Sequence, residues 1–291
     1  MKLLPNTIIN FHAIYDKQWM ESVFILLKKN YHLVSTNTIE DFYYDGLKLK
    51  NTCHLTFDDG HKSFYEIVFP LLKKHHIPVS LYVSPSMCKE GKNFWFQEIQ
   101  GYNEEVFRKI ILEYHESEKF TRNGSSLGYL LKNLDIKNIW NLIEIYRART
   151  NTPTKPACNL SLKQIDELHK SGLVDIGAHT LNHPILKNES EKVAHDEITF
   201  SVYQLQDILQ KEVKYFAYPN GNPKLDFGER EMNILKECGI RLAFSTENNT
   251  IKQNNNPLAI PRNGITKGNK YFILTKLSAG KKWVWIKKML N

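Results

Sequence analysis

The 291-residue sequence lacks the features that define several large classes of protein. Its cysteines, Cys53, Cys88, Cys158 and Cys238, are widely spaced and form no Cys-x-x-Cys pair, which argues against a zinc-ribbon or thiol redox site. No apolar run is long enough to span a bilayer. There is neither a zinc-finger pattern nor the aromatic pattern of RNA-recognition modules, so we expect no nucleic-acid partner despite the net charge of +8.

The first residues and the cysteine usage bear on where the protein acts. Residues 1–6 contain a single lysine and no long apolar stretch, unlike a secretory signal peptide. Widely spaced cysteines usually serve as small buried apolar residues in proteins of a reducing compartment. We therefore expect a bacterial protein that acts in the cytoplasm or at the periphery of the membrane. The positive charge would suit an anionic lipid surface or an anionic glycan.

Two adjacent carboxylates, Asp58 and Asp59, form the most informative feature that is present. They lie in the run Thr-Phe-Asp-Asp-Gly at 56–60, where an apolar stretch meets a glycine. If the strand turns sharply at Gly60, both side chains can point into one cleft. Two carboxylates in one cleft repel each other unless a cation lies between them. The pair therefore indicates a metal site, with a solvated turn as the alternative.

His179 and His183 are the candidate partners for that metal. Their spacing of four residues would place them on one face of a helical turn, close enough to share an ion. Two histidines and one aspartate leave a fourth position open for water, as a catalytic zinc site requires. A capping or core pair is the alternative for the histidines. Since both motifs follow strand-like runs, their combination favours the metal site.

Apolar runs alternate with amphipathic stretches along most of the chain. This alternation predicts a parallel sheet, and its length fits a barrel with catalytic groups at the carboxyl ends of the strands. The predicted strands are residues 8–12, 53–57, 79–83, 174–178, 215–218 and 242–245. The predicted helices are residues 16–29, 61–75, 162–170, 188–210 and 229–237.

Two segments depart from this rhythm. Residues 94–156 have helical patterns and no strand, and we interpret them as an insertion within a catalytic domain that covers residues 1–275. The insertion either roofs the cleft or is a packing elaboration without a role in substrate binding. The basic, aromatic tail at 276–291 suits an anionic membrane surface. Alternatively Trp283, Ile286 and Leu290, at helical spacing, cover the barrel.

Three motifs together resemble those of the polysaccharide deacetylases, carbohydrate esterase family four, which share the NodB homology domain. They are the Asp-Asp run at 56–60, His-Thr-x-x-His at 179–183, and Phe-Ala-Tyr-Pro-x-Gly at 216–221. The resemblance covers roughly residues 8–262. It implies an α/β fold, namely a distorted (β/α) barrel of about seven parallel strands.

The resemblance also implies roles for individual residues. Asp58 would be the catalytic base, while Asp59, His179 and His183 would bind a divalent metal, with zinc the expected ion. Three further residues complete the implied site: Thr180 as structural support, the backbone N–H of Asn220 as donor to the oxyanion, and Pro219, which precedes that donor. An aromatic residue is commoner at the position of Asn220.

The sequence departs from the family pattern at two catalytic positions. Many members carry an arginine that holds the base where this chain has Tyr218. Arg262 is the candidate replacement, with a surface arginine as the alternative. The late histidine that usually protonates the leaving amine is absent, since no histidine follows His195. The first strand, which ends in Phe-His, resembles the branch that contains poly-N-acetylglucosamine deacetylases, so His12 would be the acid; the alternative is a core histidine.

These observations predict a metal-dependent hydrolase that removes N-acetyl groups from N-acetylhexosamine units. Its partner would be an N-acetylated glycan, either a polysaccharide or a lipid-linked glycan. One alternative is a cyclic amide or imide hydrolase on the same fold. Another is an inactive glycan-binding module, although the presence of both carboxylates argues against it.

Overall fold

A curled sheet of parallel strands forms the centre of the protein. The computed structural model describes residues 4–114 and 126–283. Hydrogen-bonded neighbours follow the order β7-β6-β5-β4-β3-β1-β8, and β2 pairs with the beginning of β3. The curled parallel sheet and its surrounding helices confirm the predicted distorted (β/α) barrel. The strands are β1 Thr7–Phe11, β2 His32–Leu33, β3 Thr52–Phe57, β4 Val79–Val83, β5 Val174–Ala178, β6 Tyr215–Ala217, β7 Leu242–Phe244 and β8 Asn263–Gly264.

A short segment, residues 260–264, spans the two ends of this sheet. Ile260 pairs with Phe244 of β7 in a parallel bridge, and its carbonyl accepts the N–H of Ser245 at 2.8 Å. A few residues later, β8 pairs with β1. The first and last strands of the main sheet are therefore connected through one stretch of chain.

Helices cover the outer face of the sheet and form most of the described part of residues 94–156. Polar side chains begin several of them: Asp16, for example, accepts the Trp19 N–H at 2.9 Å. A π-helical turn, Phe64–Val68, runs into the helix Phe69–His75. The other α-helices are Lys17–Asn30, Thr36–Tyr44, Pro85–Glu90, Trp95–Glu98, Glu104–Tyr114, Leu127–Leu131, Ile136–Thr150, Leu162–Lys170, Glu191–Leu209, Glu229–Glu237 and Lys270–Ala279, with 3₁₀ turns at Leu186–Asn188 and Gly280–Lys282.

Alternate residues of the strands face two separate cores, because neighbouring side chains on a strand point to opposite sides. Leu81 belongs to the large core between the sheet and the helices. Tyr82, its neighbour, belongs to a smaller core with Ile8, Leu242 and Phe244. That smaller core fills the interior of the curl, below the carboxyl ends of the strands.

The region predicted as an insertion has a third core of its own. Its described helices pack around buried residues that include Trp95, Phe107, Ile139 and Tyr146. No strand occurs among its described residues, 94–114 and 126–156. Because Trp95 belongs to this core and its Nε1 also donates to the His183 carbonyl, the region is anchored beside His183.

The beginning of the predicted tail packs against the protein. Trp283 is buried, and its ring meets Phe272 edge-on with centroids 5.3 Å apart. This contact agrees with the packing alternative for Trp283. Ile286 and Leu290 lie outside the described residues. No helix in the described ranges has the length and apolarity needed to cross a membrane.

Candidate metal and catalytic site

The two adjacent aspartates occupy the carboxyl end of β3, and both are buried. Asp59 and Gly60 have positive φ values of 72° and 65°, so the chain turns at Asp59 itself. A side chain at Gly60 would be strained there, and its Cβ would lie 3.0 Å from Val83 Cγ1. This turn allows neighbouring carboxylates to enter the same cleft.

The two histidines follow β5, but they do not lie on a helical turn. Thr180 and His183 have positive φ values of 61° and 57°, so the prediction of a helical turn is wrong. Instead, the Thr180 hydroxyl donates to the His179 carbonyl at 2.6 Å and accepts the His183 N–H at 3.1 Å. Thr180 thus braces the loop that carries both imidazoles.

Asp59, His179 and His183 converge on a small volume in which a metal ion could bind. Oδ1 of Asp59 lies 3.4 Å from His179 Nε2 and 3.5 Å from His183 Nε2. The three ligand atoms lie within 4.8 Å of one another. Within the described residues, that buried Oδ1 has no hydrogen-bond partner. A buried carboxylate oxygen without a partner is costly, and a cation between these three groups would satisfy it.

Hydrogen bonding and burial prepare the histidines to act as ligands. His179 Nδ1 lies 2.6 Å from the Ala217 carbonyl, to which it must donate, so in the neutral ring Nε2 carries the lone pair that faces Asp59. Burial lowers the pKa of His183 to about 3, against the opposing attraction of Asp59. A neutral imidazole is the form that binds a metal.

Asp58 is held by Arg262 in a two-point ion pair. Arg262 Nη1 and Nη2 each lie 2.7 Å from one oxygen of the carboxylate. Arg262 is fully buried, so the alternative of a surface arginine is wrong. Burial alone would raise the pKa of Asp58, but the charges of Arg262 and His179 outweigh it and hold that pKa below its ordinary value.

The position of Arg262 explains how a late residue reaches the end of β3. It directly precedes β8, and its long side chain runs through the barrel interior. On the way, Nε donates to the Ser245 carbonyl at 2.9 Å and Nη1 to the Thr56 hydroxyl at 3.0 Å. These bonds fix the orientation of the guanidinium group that pairs with Asp58. A lysine could not form the same set of bonds.

His12 lies immediately after β1, at the rim of the same site. Its Nε2 is 4.0 Å from Asp58 Oδ2, and its side chain is 55% exposed. The alternative of a core histidine is therefore wrong. Together with Asp59, it lines a cavity of about 530 Å³.

The third motif adjoins the metal site through Ala217, whose carbonyl holds His179. Asn220 has a φ of 56°, and its buried amide nitrogen has no partner among the described residues. The Pro219 carbonyl accepts the Gly221 N–H at 2.6 Å, which tightens the turn. The role of the Asn220 backbone N–H stays a prediction.

Tyr218, by contrast, belongs to the core. Its ring stacks on Phe227 with centroids 3.6 Å apart. Its hydroxyl donates to the Leu258 carbonyl at 2.8 Å. Since ring and hydroxyl are both engaged in this way, Tyr218 supports the third motif by packing, while Arg262 contacts Asp58.

Glu197 is a supporting residue that the sequence interpretation missed. Its carboxylate accepts the N–H groups of Leu181 and Asn182 at 3.0 and 2.9 Å and is buried. It thereby fixes the loop between the two histidines. An acidic residue on the buried face of the helix Glu191–Leu209, next to Ala194 and Ile198, was the signal that could have revealed it.

The start of the insertion also supports the second histidine. Trp95 Nε1 donates to the His183 carbonyl at 3.1 Å. The rings of Phe94 and Phe96 lie 5.4 and 4.8 Å from the His183 imidazole. Phe96 and Lys155 also line the cavity above Asp59. Described residues of the insertion thus border the cleft, while a role of this region in substrate binding stays a prediction.

The comparison with known families identifies the fold and its motifs. Residues 46–243, more than half of the chain, match the family model described as polysaccharide deacetylase. The chain belongs to the polysaccharide deacetylase family. The matched range contains both aspartates and both histidines, whereas His12 precedes it and Arg262 follows it.

Curated relatives of this chain occur in staphylococci. The poly-β-1,6-N-acetyl-D-glucosamine N-deacetylase of Staphylococcus aureus is 23% identical over 237 residues, which are 77% of this chain and 59% of the relative. The protein of the same name from Staphylococcus epidermidis is 23% identical over 222 residues, covering 73% and 54%. The chain thus spans less than two thirds of the length of these relatives.

Solved structures of similar fold cover nearly the whole chain. Streptococcus pyogenes deacetylase PplD, in complex with acetate, superposes with a TM-score of 0.64 at 18% identity, over 95% of this chain and 99% of that one. IcaB from Ammonifex degensii gives 0.63 at 18% identity, over 95% and 98%. At these identities the likeness shows the shared fold.

Proposed function

We propose that this polysaccharide deacetylase is a metal-dependent hydrolase that removes N-acetyl groups from N-acetylhexosamine units of a polysaccharide or lipid-linked glycan. The observation that carries the proposal is the unpartnered Asp59 oxygen between two imidazole nitrogens, beside a second carboxylate held by Arg262. The names of the staphylococcal relatives support N-acetylglucosamine as the sugar.

Zinc is the proposed ion, because one carboxylate and two imidazoles with open positions form a typical catalytic zinc site. Asp59, His179 and His183 would hold it. A bound zinc ion would polarise the acetamide carbonyl and lower the pKa of bound water. The Thr180 hydroxyl and the Glu197 carboxylate keep the two imidazoles in place.

Asp58 takes the role of general base in this proposal. Its carboxylate is ionised at neutral pH, because Arg262 holds its pKa low, and it is adjacent in sequence to the metal ligand. A carboxylate has about four lone-pair positions, so the two bonds to Arg262 leave others for a water proton. Arg262 therefore orients the base without blocking it.

His12 and Asn220 complete the proposed mechanism. The imidazole of His12, at 4.0 Å from Asp58, would donate a proton to the leaving amine, which cannot depart as an anion. The backbone N–H of Asn220 would donate to the negative oxygen that develops on the acetyl carbonyl. The base and the acid then directly follow the strands β3 and β1, which are neighbours in the sheet.

Acetate release from a panel of N-acetylated glycans and glycolipids, with metal content measured on the same sample, tests the proposal. We expect acetate release that a chelator abolishes and zinc restores. Ring opening of a cyclic imide without acetate release would instead support the other hydrolase class. Glycan binding without either reaction would identify an inactive binding module.

A further inference from the structure

The two histidines of the proposed metal site are held by different parts of the protein. His179 is held by the barrel. Its N–H donates to the Val83 carbonyl at 3.0 Å, and its carbonyl accepts the Ser84 hydroxyl at 2.9 Å. Its Nδ1 donates to the Ala217 carbonyl, the last residue of β6, at 2.6 Å. The orientation of this imidazole is thus fixed by a bond to the ring itself.

His183 has no such bond to its ring. Its buried Nδ1 has no hydrogen-bond partner among the described residues. A histidine that binds a metal through one ring nitrogen usually donates from the other, and that second bond sets the orientation of the ring. The orientation of the His183 imidazole must therefore come from contacts to its backbone and from the side chains packed around the ring.

The first three residues of the insertion supply such contacts. Trp95 Nε1 donates to the His183 carbonyl at 3.1 Å. The Phe96 ring meets the imidazole edge-on, with centroids 4.8 Å apart, and the Phe94 ring lies at 5.4 Å in a tilted arrangement. Phe94 and Trp95 are buried. Close packing of this kind restricts the rotation of a side chain, so the insertion fixes the imidazole that the barrel leaves without a bond.

The insertion also holds the far end of the loop that begins at His183. Asn188 Nδ2 donates to two carbonyls of the insertion, at 2.8 and 3.1 Å. The Glu189 carboxylate accepts the Ile136 N–H at 2.7 Å. Ile136 and Trp95 belong to the same core. One packed unit therefore contacts the loop at both of its ends.

We propose that the insertion, residues 94–156, serves to retain the metal ion: it positions His183 through Trp95 and thereby slows the release of the ion. The inference rests on the proposed function, in which Asp59, His179 and His183 hold zinc. It gives the insertion a task that is distinct from substrate binding. Trp95 is a positioning residue, because it acts through the histidine.

The test measures the rate at which zinc leaves the loaded protein in excess chelator. Trp95→Phe removes the indole N–H but keeps an aromatic ring in the core. We expect it to release zinc about 10–100-fold faster than the wild-type protein, the range typical for the loss of an outer partner of a metal ligand. Trp19→Phe is the matched control, because Trp19 Nε1 also donates to a backbone carbonyl, that of Gly268, at 3.1 Å. Its release rate should equal that of the wild type.

A second measurement separates positioning of the ligand from a general loss of packing. The visible absorption of the cobalt(II)-loaded protein reports the geometry around the ion, so it should change in Trp95→Phe and stay the same in Trp19→Phe. A loss of packing alone would lower the Tm of the metal-free protein and leave this spectrum unchanged. If Trp95→Phe does not fold, Asn188→Ala takes its place, with the same expected results, because Asn188 is exposed and belongs to no core.

Either of two results would overturn the inference: zinc release at the wild-type rate, or a cobalt(II) spectrum identical to that of the wild type. If the loaded protein releases no acetate from any glycan, the proposed activity fails separately, and the release rates still test the insertion. A wild-type protein that binds neither ion would overturn both the metal dependence and the role of the insertion.

Discussion

Arg262 and Asp58 are joined through both carboxylate oxygens inside the barrel, 204 residues apart in the sequence. The rings of Tyr82 and Phe244 lie 5.7 and 5.9 Å from the guanidinium carbon. Both charged groups are buried, so the pair depends on its geometry rather than on long-range attraction. The function of Asp58 should therefore depend on the shape of its partner as well as on the positive charge.

Arg262→Lys should lower kcat while metal content stays the same. Lysine keeps the charge but cannot bond to both oxygens at once, so the base loses its fixed orientation. We expect a loss of roughly 10-fold or more, but no greater than the ~10²–10⁴-fold that a general base contributes. Acetate release under saturating substrate measures it. Arg241→Lys, at a half-exposed pair with Glu40, is the control; equal kcat in both variants would contradict the positioning role.

Asp58→Asn should retain metal and lose turnover by about 10²–10⁴-fold. The change removes the proton acceptor while Asp59, His179 and His183 remain in place. Elemental analysis of the purified variant, together with acetate release, measures both properties. If the variant lost its metal, Asp58 would have to be counted as a ligand, and the division of roles between the two aspartates would fail.

His12→Ala should impair amide hydrolysis more than hydrolysis of an activated ester. The amine must be protonated as it leaves, whereas a nitrophenolate does not need a proton. His12 is half exposed, so its removal should leave the fold intact. The measurement is the ratio of the two kcat/KM values in variant and wild type. An unchanged ratio would argue that His12 does not act as the acid.

The stability of the Glu189→Gln variant, relative to that of the wild-type protein, should increase as the pH rises. Burial raises the pKa of Glu189 to about 7, with Asp135 and Glu197 adding to the rise, while the Ile136 N–H and Arg230 oppose it. The folded state thus holds this proton more tightly than the unfolded state does.

The stabilising contribution of Glu189 is therefore complete below its ordinary pKa, near 4.5, and is lost as the pH passes about 7. Glutamine stays neutral and can still accept the Ile136 N–H, which lies 2.7 Å from the carboxylate. The Tm of the variant minus that of the wild type should increase from pH 5 to pH 8. A constant difference would show that Glu189 titrates normally.

The basic tail remains a proposed contact with anionic membranes. Trp285 and the lysines beside it lie outside the described residues, while Trp283 packs on Phe272. A form that ends at Trp283 keeps this packing. The full chain should co-sediment with anionic liposomes more than this form does, by about 1 kcal/mol for each lysine near the surface. Equal sedimentation of both forms would remove the proposal.

The sequence was sufficient to predict the bounds of strands and helices that have a long, clear pattern of apolar residues. β4 and β5 have the predicted bounds, and so do the helices Leu162–Lys170 and Glu229–Glu237. The two-residue strands β2 and β8 were missed, because two residues carry no periodicity. The helix predicted at 188–210 begins at Glu191, because the Ser190 side chain caps its first turn. The predicted helix at 61–75 begins with a π-helical turn at Phe64, which sequence periodicity does not reveal.

The site was predictable where its residues directly follow predicted strands. The convergence of Asp59 with both histidines follows from strand ends that meet at one edge of the sheet. The loop conformation was not predictable from the spacing of four. It depends on the positive φ of Thr180 and on Glu197, a residue that lies on another element. Likewise, Trp95 could be connected with His183 only once the position of the insertion was known.

The segment that spans the two ends of the sheet has a consequence for how this fold can be divided. The family match at 46–243 holds the proposed metal ligands and Asp58, yet β1 with the adjoining His12 and the segment 260–264 with Arg262 lie on either side of it. Excision at the borders of the match would separate the ligands from the histidine and the arginine. A gene fusion or domain graft intended to keep the proposed activity would therefore have to include residues 7–264, which span β1, the matched range and the segment 260–264.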